Sequence, residues 1–163
     1  MKNKRLIIIT ITILINIGCD QFTKLIAKNH LQERETIEVV GNFFILKYAE
    51  NDGAFLSMGS DFHPTVKLIF LSILPLIILV SLLVYTIFKK NIDTSYIIGL
   101  SCILGGGFSN IFDRLLNNGR VIDFMNFGIG NIRTGILNIA DLSIFTGVLI
   151  LLFYSIKTNN TKA

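Results

Sequence analysis

Four long apolar stretches organise the chain, with polar residues gathered at their ends and between them. Leu68 to Phe88 runs 21 residues without a charge, Thr94 to Phe112 runs 19, and Ile136 to Ile156 runs 21 with Asp141 as its only charge. Each matches the roughly 20 residues that a helix needs to cross a bilayer. Leu6 to Ala27 is also long enough, but it carries Asp20 and Lys24 near its far end. Ionisable groups inside a span are costly, so they mark pairing or function. The pattern predicts an integral membrane protein, mainly α, with four transmembrane helices at 6–27, 68–88, 94–112 and 136–156 in a single domain over 1–163. Pro75 should kink the second span. Gly99 and the run Gly105-Gly106-Gly107 should let neighbouring backbones approach the third.

Between the spans, Ile37 to Val40 and Phe43 to Tyr48 are β-branched and aromatic runs split by Gly41-Asn42. They predict a small β hairpin beside the membrane. No internal repeat or low-complexity stretch marks a second domain.

Composition sharpens the picture. Charged residues make up 16% of the chain, against about 25% in soluble domains, and a chain this short cannot hide so much apolar surface from water. Soluble, disordered, fibrous and disulfide-stapled classes are set aside. A net charge of +4 would suit nucleic acid, but the basic residues form no single patch. Lys2, Lys4, Arg5, Lys89, Lys90, Lys157 and Lys162 sit just outside the apolar runs, as the positive-inside rule expects of cytoplasmic flanks. Both termini are then cytoplasmic, and segments 28–67 and 113–135 face outward. Ten of the 11 acids, all but Asp93, lie in those segments or in the outward halves of spans one and four. The outer side is where chemistry is expected.

Met1 to Cys19 has the basic start, apolar run and Gly18-Cys19 of a lipoprotein signal. Asn16 stands where such signals prefer an aliphatic residue, and the apolar pattern resumes through Phe22, Leu25 and Ile26, so the segment reads as an uncleaved first span. Cys19 and Cys102 each lie in an apolar segment and have neither metal-ligand nor disulfide spacing.

The polar residues of the outer half fall into helical sets. Asp20 and Lys24, at i and i+4, share a face and can form a structural ion pair. Asn110, Asp113 and Arg114 converge at the end of span three, where Asp113 taken alone reads as a solvated helix end. Asn138 and Asp141, at i and i+3, share a face in the first turns of span four, with Asp141 about 8 Å inside the span's start at Ile136. Asp123 sits in an apolar run between spans three and four. Two carboxyls at one membrane surface suit paired-Asp hydrolysis, in which close like charges share one proton, one group acting as base on a water and the other as acid. A Ser-Lys peptidase using Ser57 or Ser60 with Lys24 is the rival chemistry. A transporter is the rival class, although its site would lie near the midplane. His30 and His63 stand alone, and no metal or phosphate motif is present.

The chain resembles the bacterial lipoprotein signal peptidases, the signal peptidase II family. The resemblance rests on Asp20-Gln21-Phe22-Thr23-Lys24, Asn51-Asp52-Gly53-Ala54-Phe55, Gly106-Gly107-Phe108-Ser109-Asn110-Ile111-Phe112-Asp113-Arg114, Val121-Ile122-Asp123-Phe124 and Asn138-Ile139-Ala140-Asp141. It implies a cofactor-free aspartyl endopeptidase of the inner membrane that cuts prolipoprotein signal peptides just before the diacylglyceryl-modified cysteine. Its partners would be those prolipoproteins and membrane lipids, with no nucleic acid, and the chain would act as a monomer. By motif, Asp123 and Asp141 correspond to the catalytic pair, Asn51 and Gly53 to the substrate wall, and Asn110, Arg114 and Asn138 to groups that orient substrate and dyad. Asp20 and Lys24 correspond to the family's structural pair. Phe55 stands where many members have Ala, and Leu137 where Phe often precedes the Asn. An outer segment around 51–62, with Gly53 and Gly59 as hinges, would close over bound substrate.

Overall fold

A computed structural model describes residues 2–33, 36–53 and 59–160. Ala54, Phe55, Ser57 and Lys162 fall outside them. The four predicted spans are helices: α1 (Lys2–Leu31), α2 (Pro64–Phe88), α3 (Thr94–Leu116) and α4 (Ile139–Asn160). All four are long and apolar enough to cross a membrane. More than half of the most apolar stretch of α3 is buried, against less than a fifth in each of the others. The third helix is therefore the axis, and the other three turn their apolar faces outward, as a bilayer requires.

The glycine run on α3 explains this centrality. A Cβ on Gly105 would stand 2.7 Å from Asn16 Cβ on α1, one on Gly106 2.3 Å from the Ala140 carbonyl on α4, and one on Gly107 2.6 Å from Leu79 on α2. Three successive glycines thus admit three different helices, and Gly99 and Gly147 repeat the close approach of α3 and α4 further along. Gly106→Val should wedge α3 from α4 and sharply reduce the detergent-stable monodisperse protein, which size-exclusion chromatography of the purified variant would detect. Gly18→Ala on α1, with open space around it, should not.

Pro75 perturbs its helix as a widened turn. Residues Leu68–Ile73 form a π-type turn, and the Leu74 amide reaches back five residues to the Ile69 carbonyl. The ladder loses its α register just ahead of the residue that cannot donate to it.

The segments between the spans build an antiparallel sheet in the order β1–β2–β3–β4: Ile37–Val40, Phe44–Asn51, Val121–Ile129 and Ile132–Arg133. The predicted hairpin is β1 and β2, turning at Gly41 with φ +46. Strand β3 falls within the segment read as a connection. It is buried continuously from Val121 to Asn126, so it lacks the in-out alternation that announces a half-exposed strand. The sheet packs through Phe124 and Met125 on Ala27 and Leu31 of α1, with Ile139 and Leu142 of α4 alongside.

Candidate active site

Strand β3 and the start of α4 are tied together by backbone. Phe124 and Met125 N–H groups donate to the Leu137 carbonyl at 2.9 and 2.8 Å, and Leu137 N–H returns a bond to Met125 at 2.7 Å. This clamp sets Asp123 beside the residues that open α4. That helix starts at Ile139 rather than Ile136, because Leu137 is bridged to Met125 of the sheet. Asp141 therefore lies in the first turn, at the mouth of the helix, and not a turn and a half inside it as the span boundary predicted.

Asn138 caps α4. Its side-chain oxygen accepts from Asp141 N–H at 2.9 Å, and its own N–H donates to Asp141 Oδ2 at 3.2 Å, a reciprocal capping box. The Asn138 amide nitrogen then donates to Asp123 Oδ1 at 2.6 Å. One fully buried residue thus holds both carboxyls. Asn110 on α3 supports the same arrangement, donating to Asp141 Oδ1 at 3.1 Å and accepting from Asn138 at 3.2 Å.

The other oxygen of Asp123 receives Asn51 Nδ2 at 3.1 Å. In the β2–β3 register Ala49 faces Asp123 and Asn51 faces Val121, so Asn51 is the diagonal neighbour, within side-chain reach. The Asn51 side-chain oxygen Oδ1 accepts from Gly53 N–H at 3.0 Å, and the Gly53 backbone carbonyl accepts from Arg114 Nη2 at 2.9 Å. Arg114 Nε is buried and has no hydrogen-bond partner among the described residues. Burial pushes the Asp123 carboxyl up to about 6; the Asn51 and Asn138 donors oppose this and the Asp141 charge reinforces it.

Beneath this layer lies a buried ion cluster larger than the predicted pair. Lys24 Nζ contacts Asp20 Oδ2 at 2.6 Å, Asp113 Oδ2 at 2.8 Å and Asn110 Oδ1 at 3.0 Å, and none of the three charged side chains is more than 2% exposed. Asp113 is thus no solvated helix end. Its carboxylate also accepts from Gln21 at 2.7 Å and from Ile122 N–H at 3.1 Å, so it anchors the residue before Asp123. Asp20 accepts from Ser109 Oγ at 2.7 Å and from Ala140 N–H at 2.8 Å, filling one of the open amides at the start of α4. The cluster therefore grips β3 through Asp113 and α4 through Asp20. Gln21 and Ser109 escaped the sequence reading as positioning groups because neutral polar residues in a span carry no charge signal.

The ammonium's three donors are all committed, which removes Lys24 as a base for Ser60; Ser57 lies outside the described residues. Among the described residues, no group of three His, Cys, Asp or Glu is placed to hold a metal. Cys19 is exposed and Cys102 half-buried, both as free thiols.

The arrangement has close counterparts. The family model described as signal peptidase (SPase) II matches residues 11–157. The lipoprotein signal peptidase of Pelodictyon phaeoclathratiforme is 34% identical over 154 residues, covering 89% of this chain and 88% of its own length. That of Syntrophus aciditrophicus is 32% identical over 160 residues, covering 98% and 99%. A bacterial membrane enzyme solved by the in meso method at 2.3 Å resolution is 26% identical, superposes with a TM-score of 0.78, and covers 99% of this chain and 92% of its own. Since the motif residues on α1, α3 and α4 and on β2 and β3 meet at one end of a fold matched over nearly its whole length, the chain belongs to the signal peptidase II family.

Proposed function

We propose that this chain is a membrane aspartyl endopeptidase that removes the signal peptides of prolipoproteins immediately before the diacylglyceryl-modified cysteine. The observation that carries the mechanism is that Asn138 donates to both Asp123 and Asp141. Two carboxyls so held share one proton: one takes a proton from water as that water attacks the scissile carbonyl, while the other protonates the carbonyl oxygen; the first then passes the water's proton to the leaving nitrogen as the second recovers its own from the collapsing tetrahedral intermediate. Arg114, whose Nε is buried without a hydrogen-bond partner among the described residues, orients the peptide together with Asn51 at the end of β2 and Gly53 just beyond it. The substrate's signal helix and lipid reach the site by diffusing laterally in the bilayer, and the sheet end of the bundle faces outward with both termini in the cytoplasm. The protein works as a monomer without metal or thiol chemistry.

Purified protein mixed with lipidated and unlipidated forms of one prolipoprotein tests this by gel shift. Cleavage of the lipidated form alone, unaffected by chelators, is expected. Loss of activity on chelation, restored by zinc, would overturn the paired-Asp mechanism.

The pair's titration gives a second test. The last shared proton leaves around pH 6 in the free protein, where Asp123 titrates, so kcat/KM should fall as pH rises through that region. Asn51 stabilises ionised Asp123, so Asn51→Ala should raise that carboxyl further and move the falling limb to higher pH. A pH profile of kcat/KM for both proteins reads the displacement; a limb that stays put or moves down would contradict Asn51's role.

A further inference from the structure

At the bundle end opposite the sheet, a cavity of about 620 Å³ opens between the start of α1, the end of α2 and the start of α3. Its polar wall carries three cations, Lys4, Arg5 and Lys90, and no acid lines it among the described residues. The Arg5 guanidinium is fixed by donating to the Lys89 carbonyl at 2.5 Å and to the Thr86 carbonyl at the end of α2, yet its Nε is buried without a hydrogen-bond partner among the described residues. Thr94, the first residue of α3, also lines the cavity, and the Asp93 side chain leaves that helix start uncapped because it accepts instead from Tyr154 Oη on α4 at 2.6 Å. Positive charge, a fixed guanidinium and free amides at a long helix's N-terminus together favour an anion. Apart from Asn91, the remaining wall is apolar, including Ile8, Ile87 and Phe88, and Phe88 is two-thirds exposed.

A soluble anion has no use for such a wall, whereas a phospholipid presents its phosphate and its acyl chains within one molecule. We infer that this cavity binds the headgroup of an anionic phospholipid, the phosphate among Lys4, Arg5 and Lys90 and the upper acyl chain along Ile8 and Phe88. The volume lies within the range of small-molecule sites, and each basic residue near an anionic lipid surface strengthens attraction several-fold. The site lies at the far end from Asp123 and Asp141, so its occupancy is independent of whether that pair cleaves peptide.

The full chain in detergent micelles is titrated with phosphatidylglycerol, phosphatidylcholine or inorganic phosphate, and the rise in unfolding temperature gives an apparent affinity. Phosphatidylglycerol should bind at least roughly tenfold more tightly than phosphatidylcholine, and inorganic phosphate should give no rise over the same range. Lys4→Gln combined with Lys90→Gln, which leaves Arg5 and its backbone bonds in place, should bring the two lipids to within about twofold. Lys28→Gln with Lys47→Gln, at the sheet end, should keep the preference. Equal binding of both lipids, a phosphate effect matching the lipid's, a preference surviving the first double variant, or one lost in the second would each overturn the assignment.

Discussion

Asp20→Asn, Lys24→Met and Asp113→Asn are each expected to remove most of the folded protein, before any question of chemistry arises. The three side chains are buried within one cluster, and removing one charge leaves the remainder uncompensated in a dry setting, at a cost of ~3–5 kcal/mol. That is a large share of a typical domain's stability. The damage should also spread, since Asp113 holds the Ile122 amide on β3 and Asp20 the Ala140 amide on α4. Membrane-fraction yield and thermal unfolding in detergent provide the readout. Normal accumulation of Asp20→Asn with complete inactivity would place Asp20 in the chemistry instead of beneath it.

The other large effect concerns the paired carboxyls. Asp123→Asn and Asp141→Asn preserve side-chain size, but an amide neither takes a proton from water nor delivers one as an acid. If the groups act as a unit, either change alone should abolish nearly all turnover, and the double variant should be scarcely worse, because cooperating catalytic groups are strongly non-additive. Substrate binding should persist, since Asn51, Gly53 and Arg114 keep their places. Burial of Asp113 in the ion cluster disqualifies it as a neutral comparison; Glu38 on β1, exposed and away from the network, serves instead, and Glu38→Gln should retain cleavage.

What the sequence revealed follows from which physical signals are local. Span length and charge exclusion located all four helices, because a bilayer imposes both on every segment that crosses it. The Gly41-Asn42 break gave the β1–β2 hairpin. Strand β3 escaped because burial on both faces erases its alternation, and its longer partner β2 is distant in sequence, with Asn51 paired to Val121. Asp113 looked solvated because its partner Lys24 lies on another helix, and a position at a helix end says nothing about what covers it. The depth of Asp141 was overestimated for a different reason: Asn-x-x-Asp is also a capping-box spacing, which would have started α4 at Ile139. The face shared by Asn138 and Asp141 was readable from their spacing, whereas their joint contact with Asp123 depends on the clamp between Leu137 and β3.

The most direct test of the central claim is a cleavage time course on a lipidated prolipoprotein, with a parallel binding assay, for the wild type, Asp123→Asn, Asp141→Asn and the double variant at equal folded concentration. The account predicts product only from the wild type and comparable binding by all four. Substantial turnover by either single variant would contradict it.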